Sequence, residues 1–411
     1  MEKKELKERL DVFRHAELPR LRRLGAYYAG RHAILEESKD PGKPDNRLVC
    51  NFCRSITDST VGYFMGIPVS YDATDEETLA EALRVSGRSD EPFLNSAIAR
   101  DLSVYGSASE IIWCADDGGI RVSALSPENT FPVFSDDVDR SLIAAVRFYM
   151  KSDGKLSVHC IDDDAVYEFE ETSGGLAPVS ETEHYFGAVP VNFYSNNRDG
   201  TGDFEPVLTL VDAYNRLQSE SVNDFELFAD SYLAISGMGG TNAEDLEAIR
   251  RNRVLLLDDG GDAKWLTKSV NDSYIENLKT RIARDIYRFS GTVDISELTG
   301  SGDVISGVAM KYRLINFENR VSVTEQHFRR GLMRRWRLIG NLYGTWGRHF
   351  DWMSLKANFT RNLPGNYEAA AELASKLDGI ISKKTLLGLL PFVENIADEC
   401  ERITDEKGAD A

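Results

Sequence analysis

The stretch "ELTGSGDVISGVAMKYR" at 297–313 sets Gly302 and Gly307 at the G-x-x-x-x-G spacing of a phosphate-binding loop. That chemistry needs Lys and then Ser or Thr directly after the second Gly, for the phosphates and for Mg²⁺. Val308 and Ala309 stand there instead, and Lys311 comes too late. The dinucleotide pattern also fails, because Ile305 follows Gly300 and Gly302 where a third Gly is required. A P-loop follows a buried strand, whereas "LKTRIARDIYRFSG" ahead of this loop has a helical pattern. The stretch reads as a Gly- and Ser-rich loop at the head of a long helix.

Other residue sets that do chemistry elsewhere are as bare. There is no H-E-x-x-H and no G-x-S-x-G, and the six His are scattered. Cys50 and Cys53 form a lone C-x-x-C in "LVCNFCRSI", expected to be two small buried residues on one helix face. The carboxylates of "IDDDAVYEFEE" read as a solvated strand edge and not as a metal site. The sequence predicts no catalytic activity, no cofactor and no metal.

With 411 residues the chain exceeds the size of one core, so two or three structural regions are expected. Lys+Arg 48 less Asp+Glu 67 gives −19, a balance that repels nucleic acid and anionic membrane. Any meeting with DNA must run through local patches, or without gripping. No apolar run is long enough to span a bilayer, and the charged "MEKKELKERLDVFR" is not a secretory signal. An odd, small number of Cys excludes a disulfide framework and predicts a reducing cytoplasm.

The elements that would carry these residues form an α+β chain. Helices are expected over 1–37, 47–65 and 75–104, with an extended "GIPVSYDA" between the last two. From 105 to 195 the period falls to two, predicting an antiparallel meander of five or six strands that includes a hairpin at "DDGG". Pro206 opens a helix whose stripe of Val207, Val211, Tyr214, Phe225 and Phe228 runs to about 235. A small module follows: helix "NAEDLEAIRRN", strand "VLLLDD", turn "GGDA", strand "KWLTKS". Helices at 272–289 and about 308–346, then short helices in an acidic tail, complete the chain. Stripes this long exceed what one subunit can cover, so neighbouring copies are expected to supply the missing surface.

Five segments resemble, in order, the portal proteins of tailed bacteriophages of the SPP1 type. They are "YYAGRHAIL", "NRLVCNFCRSITDSTVGYFMGIPVSY", "LSPENTFPVFSDD", "VPVNFYSNN…GDFEPVLTLVDAYNRLQSESVNDFELFADSYLAISG" and "SGVAMKYRLINFENRVSVTEQHFRRGL". The resemblance implies a portal fold assembled as a ring, typically of twelve subunits with thirteen possible, at one capsid vertex. Double-stranded DNA passes through it during packaging and ejection. It implies a β-containing wing (1–203), stem helices (204–235 and 271–289) with a clip between them (236–270), and a tunnel loop (290–305). A long helix returning to the wing (306–363) and a short helical crown (364–411) follow. The implied partners are terminase, the head-tail connector (adaptor), and the major capsid and scaffold proteins, with no membrane. The alternatives are a capsid or scaffold shell protein and, lower, a nucleotide-hydrolysing packaging component.

Under this resemblance Glu297, Thr299, Ser301 and Asp303 are the candidate channel residues of the tunnel loop, the other reading being a solvent-facing loop. Lys279, Arg281, Arg284 and Arg288 fall near one helix face, open to interface pairing or channel lining. Arg250, Arg251 and Arg253 are candidates for contact with terminase, the connector or a neighbouring clip. The five Arg of "FRRGLMRRWR" are expected to pair with acidic neighbours across subunit interfaces, or to meet DNA.

Overall fold

The structure, a computed structural model, describes residues 1–37, 44–229, 232–236, 262–266, 272–294, 307–362, 367–388, 390, 393, 399–400 and 402–405. In chain order the helices are α1 (Lys3–Val12), α2 (Leu18–Tyr28), α3 (Phe52–Met65), α4 (Glu76–Ser89), α5 (Glu91–Tyr105), α6 (Leu208–Ala229), α7 (Asp272–Ser290), α8 (Gly307–Thr345), α9 (Tyr367–Leu377) and α10 (Lys383–Leu387). The chain divides into two compact units. One comprises Met1–Ala29, Cys53–Pro206 and Tyr287–Ala411; the other comprises Gly30–Phe52 and Val207–Ile286.

Local chemistry explains where the helices of the first unit break. Pro19 has no N–H to return to the preceding turn, and a π-helical turn at Phe13–Glu17 separates α1 from α2. The helix expected over 75–104 is split at Asp90, which takes a left-handed conformation (φ 46°). Pro92 in the first turn of α5 cannot donate to the turn before it, so a continuous helix is barred. Asp75 caps α4 by accepting from the Thr78 N–H at 3.2 Å.

The β region differs from a single meander. Strands β4 (Thr130–Phe134), β5 (Leu142–Met150), β6 (Leu156–Ile161), β7 (Ala165–Thr172) and β8 (Gly175–Glu183) form a five-stranded antiparallel sheet in sequence order. The "DDGG" hairpin joins β2 (Ser107–Cys114) to β3 (Ile120–Leu125) as expected. That pair belongs to a separate three-stranded sheet, because β9 (Val191–Ser195) returns to pair with β2. The strand β1 (Ser70–Asp72) pairs with the distant β12 (Lys356–Asn358). The "YEFEE" strand, β7, is interior and not an edge, flanked by β6 and β8. Its Glu168 and Glu170 are held by Lys151 and Lys155, and Glu171 by Lys7 and Arg14.

Several apolar clusters hold this unit, two of them large. Leu6, Leu10, Phe13, Leu18 and Leu21 of the N-terminal helices cover the inner face of the five-stranded sheet through Phe131, Val146, Phe148 and Val158. The larger cluster joins α3, α4, α5, β2 and β3 to α8 through Phe328, Leu332, Trp336 and Ile339. The stripe of α8 therefore closes a core of its own subunit.

In the second unit, α6 ends at Ala229, short of the 235 expected, and Tyr232–Ser236 is instead strand β10. Its partner is β11 (Asp262–Leu266), paired Tyr232↔Leu266 through Ser236↔Asp262. The expected module helix and the "VLLLDD" strand lie outside the described residues.

Candidate functional site

Helix α8 crosses its unit on a buried polar hub. Arg335, 1% exposed, donates to Glu110 from Nε (2.9 Å) and Nη2 (2.6 Å), and to Glu91 from Nη1 (2.7 Å). Asn95 accepts from the same Nη2 at 2.9 Å. The Tyr71 hydroxyl donates to Glu91 at 2.5 Å, and the Tyr194 hydroxyl to Glu110 at 2.8 Å. Burial opposes the charge on Arg335, yet Glu110, Tyr194 and Glu91 hold its pKa above the ordinary value. Burial pushes both tyrosine hydroxyls upward, so they remain donors. A buried ion group is stable only when its remaining donors and acceptors are satisfied, and here they nearly all are.

This overturns the expected role of "FRRGLMRRWR". Besides Arg335, Arg334 donates to the Val191 carbonyl at 2.9 Å and the Val189 carbonyl at 3.0 Å. Burial, with the charge of Arg337 adding, lowers the Arg334 pKa to about 10. Arg329 pairs with Glu325 and donates to the Ala357 carbonyl. Three of the five Arg act inside one subunit. Arg330 and Arg337 stay on the exposed face of α8, which also carries Tyr312, Ile315 and Val323.

The basic face expected on α7 also needs correction. At ~100° per residue, Arg281, Arg284 and Arg288 share one exposed face, while Lys279 points to the opposite side. Lys279 is buried near the same side as Ile286 and pairs with Glu276 at 3.1 Å. Arg288 lies over the Phe289 ring at 5.7 Å. The helix ends at Gly291 (φ 67°), where Thr292 N–H returns to the Tyr287 carbonyl at 3.0 Å. The Ser290 and Thr292 hydroxyls, both buried, meet at 2.6 Å, fixing the point from which the Gly-rich segment departs. Glu297, Thr299, Ser301 and Asp303 lie outside the described residues, as do Arg250, Arg251 and Arg253.

Among the described residues no group of three His, Cys, Asp or Glu is placed to hold a metal. Cys53 is buried on α3, whereas Cys50 lies in the extended segment before it, so the two do not share a helix face as expected. Sequence reasoning also missed the polar residues that α6 buries. Its inner face runs Leu208, Val211, Asn215, Ser219, Asn223, while Phe225 of the expected stripe is 76% exposed.

Residues 12–411 match the family model described as phage portal protein, SPP1 Gp6-like, and the chain belongs to that family. It is a phage portal protein by function. Among individual relatives, the portal protein of Clostridium phage phiCD119 is 23% identical, covering 93% of this chain and 91% of the relative. The portal protein of Bacillus phage SPP1 is also 23% identical, covering 91% of this chain and 78% of the relative. In fold the chain is similar to a chain from the neck of an empty GTA particle, with a TM-score of 0.50 and 16% identity. That match covers 82% of this chain and 90% of the other.

Proposed function

We propose that this chain is one subunit of a closed ring, of twelve copies with thirteen as the alternative, at the unique vertex of a phage capsid. The ring conducts double-stranded DNA inward during packaging and outward during ejection, and docks terminase and then the head-tail connector. The observation that carries this reading is the family match along nearly the whole chain. In this assignment 1–203 is the wing, 204–235 and 271–289 the stem, 236–270 the clip, 290–305 the tunnel loop, 306–363 the long helix and its return, and 364–411 the crown. Major capsid and scaffold proteins surround the ring in the virion and in assembly within the host cytoplasm.

The exposed apolar residues support assembly. Tyr312, Ile315 and Val323 on α8 are 72%, 50% and 44% exposed in the single chain, and large apolar surface of this kind marks interfaces. Interfaces of an obligate ring should each bury more than about 2,000 Å². The ring supplies the conduit and hydrolyses no nucleotide itself, since Val308 and Ala309 stand where a phosphate-binding loop needs Lys and Ser or Thr.

Electron microscopy and native mass spectrometry of the purified protein test this. Closed rings of twelve or thirteen subunits are expected; curved open lattices would indicate a shell or scaffold protein. A stable monomer at micromolar concentration across several salt conditions would overturn the ring.

A further inference from the structure

Residues 44–50 run beside α6 and, among the described residues, belong to no helix or strand. Three alternate N–H groups of this strap each find a side chain of the helix. Asn46 N–H donates to Asn223 Oδ1 (2.8 Å), Leu48 N–H to Ser219 Oγ (2.9 Å) and Cys50 N–H to Asn215 Oδ1 (2.8 Å). The strap numbers rise as the helix numbers fall, so the two run antiparallel. The periods agree: two extended residues advance ~6.6 Å and four helical residues ~6.0 Å.

Each rung is set by its own neighbours. Asn215 Nδ2 meets His32 Nδ1 at 2.8 Å, which turns Oδ1 toward the strap. Ser219 donates its hydroxyl to the Asn215 carbonyl at 2.8 Å, leaving a lone pair for Leu48. Asn223 Oδ1 accepts a second bond from Asn46 Nδ2 at 3.0 Å. The rungs are 0%, 1% and 3% exposed, so without the strap three side-chain oxygens on a buried helix face would lose the N–H donors they accept from. Phe52 closes the end by meeting the Tyr214 ring edge-on at 4.9 Å.

We infer that Asn215, Ser219 and Asn223 form a register lock, a helical ladder standing in for a β-strand that holds residues 44–50 in one axial position on α6. Sliding by one rung in one direction sets Cys50 N–H opposite Val211 and sets Pro44, which has no N–H, opposite Asn223. Sliding the other way sets Asn46 N–H opposite position 227, a Leu. A shift of one residue turns the wrong N–H groups to the helix. Axial sliding must break all three rungs at once, whereas peeling breaks them singly. The ladder thus resists shear along α6 far better than lifting, and this holds whatever the assembled chain conducts.

Hydrogen–deuterium exchange read residue by residue on the full-length protein tests the lock. The N–H groups of Asn46, Leu48 and Cys50 should exchange at least tenfold more slowly than those of Arg47 and Val49. Ser219→Ala should raise exchange at Leu48 by about five- to tenfold, the loss of one net hydrogen bond, with smaller changes at the other two. Uniform protection from 46 to 50, or no change at Leu48 in S219A, would overturn the lock. The wild-type alternation tests it even where the variant folds poorly.

Discussion

At the scale of single residues, the first unit carries charges whose burial sets its response to pH. Asp101 is 7% exposed and its pKa is pushed up to about 6 by burial, against the opposing pull of Arg100. The folded state therefore holds a proton that the unfolded chain releases near 3.8. That contribution to stability is full below the unfolded value and is lost as pH rises through the folded one. Asp101→Asn should stabilise the protein at pH 7.5 by up to ~3 kcal/mol, and by nothing at pH 3.5. Thermal unfolding at the two pH values checks this; an equal effect at both would contradict it. Arg335 is the opposite case, a cation serving two buried carboxylates. Arg335→Met leaves Glu91 and Glu110 uncompensated and should cost about 3–5 kcal/mol. The triple change with Glu91→Gln and Glu110→Gln should recover part of the loss, because it removes the stranded charges too. An unchanged melting temperature in R335M would mean that the hub contributes little.

At the scale of elements, close approach fixes how α8 sits on the three-stranded sheet. A Cβ at Gly331 would come within 2.3 Å of two atoms of the Tyr194 ring. That ring is 2% exposed and tied through its hydroxyl to Glu110, so it has no room to yield. Asn192 Nδ2 also donates to the Gly331 carbonyl at 2.8 Å. Gly331→Ala should therefore destabilise by ~1–3 kcal/mol through overpacking, although Ala is the better helix former. Denaturation of G331A beside G344A offers the contrast, since nothing lies near a Cβ at Gly344. Equal effects at both sites would show that helix propensity, and not the contact with β9, governs.

At the scale of the whole molecule, an acidic chain is proposed to conduct a polyanion. A charge of −19 disfavours sticking, and tight phosphate contacts would stall a moving duplex. Replacing Glu297 and Asp303 by Lys would set two new cations per subunit against phosphates arriving about every 1.7 Å of axis. Rings should assemble with unchanged melting temperature, while packaged DNA per particle falls, most at low salt, where screening is weakest. Normal packaging at every salt concentration, or failure to assemble, would remove these residues from the channel.

Among the described residues the sequence by itself determined the class of most elements and much of their extent, β10 excepted, which stands where the end of α6 was expected. Period-two runs became strands, the "DDGG" turn became the β2–β3 hairpin, and Pro206 sits in the short turn that leads into α6. The failed phosphate motif and the ordered family segments were legible in the same way, because each depends on neighbours along the chain. Tertiary structure decided what distant residues do to one another. Arg335 lies 244 positions from Glu91 and 225 from Glu110, and no local period says that a cation in an Arg-rich run will be buried between them. The same holds for the return of β9 to β2, and for the polar rungs of α6, which the expected apolar stripe did not include. Periodicity reports which face a residue shares, while pairing and desolvation depend on which other face arrives, and only the folded chain brings the two together.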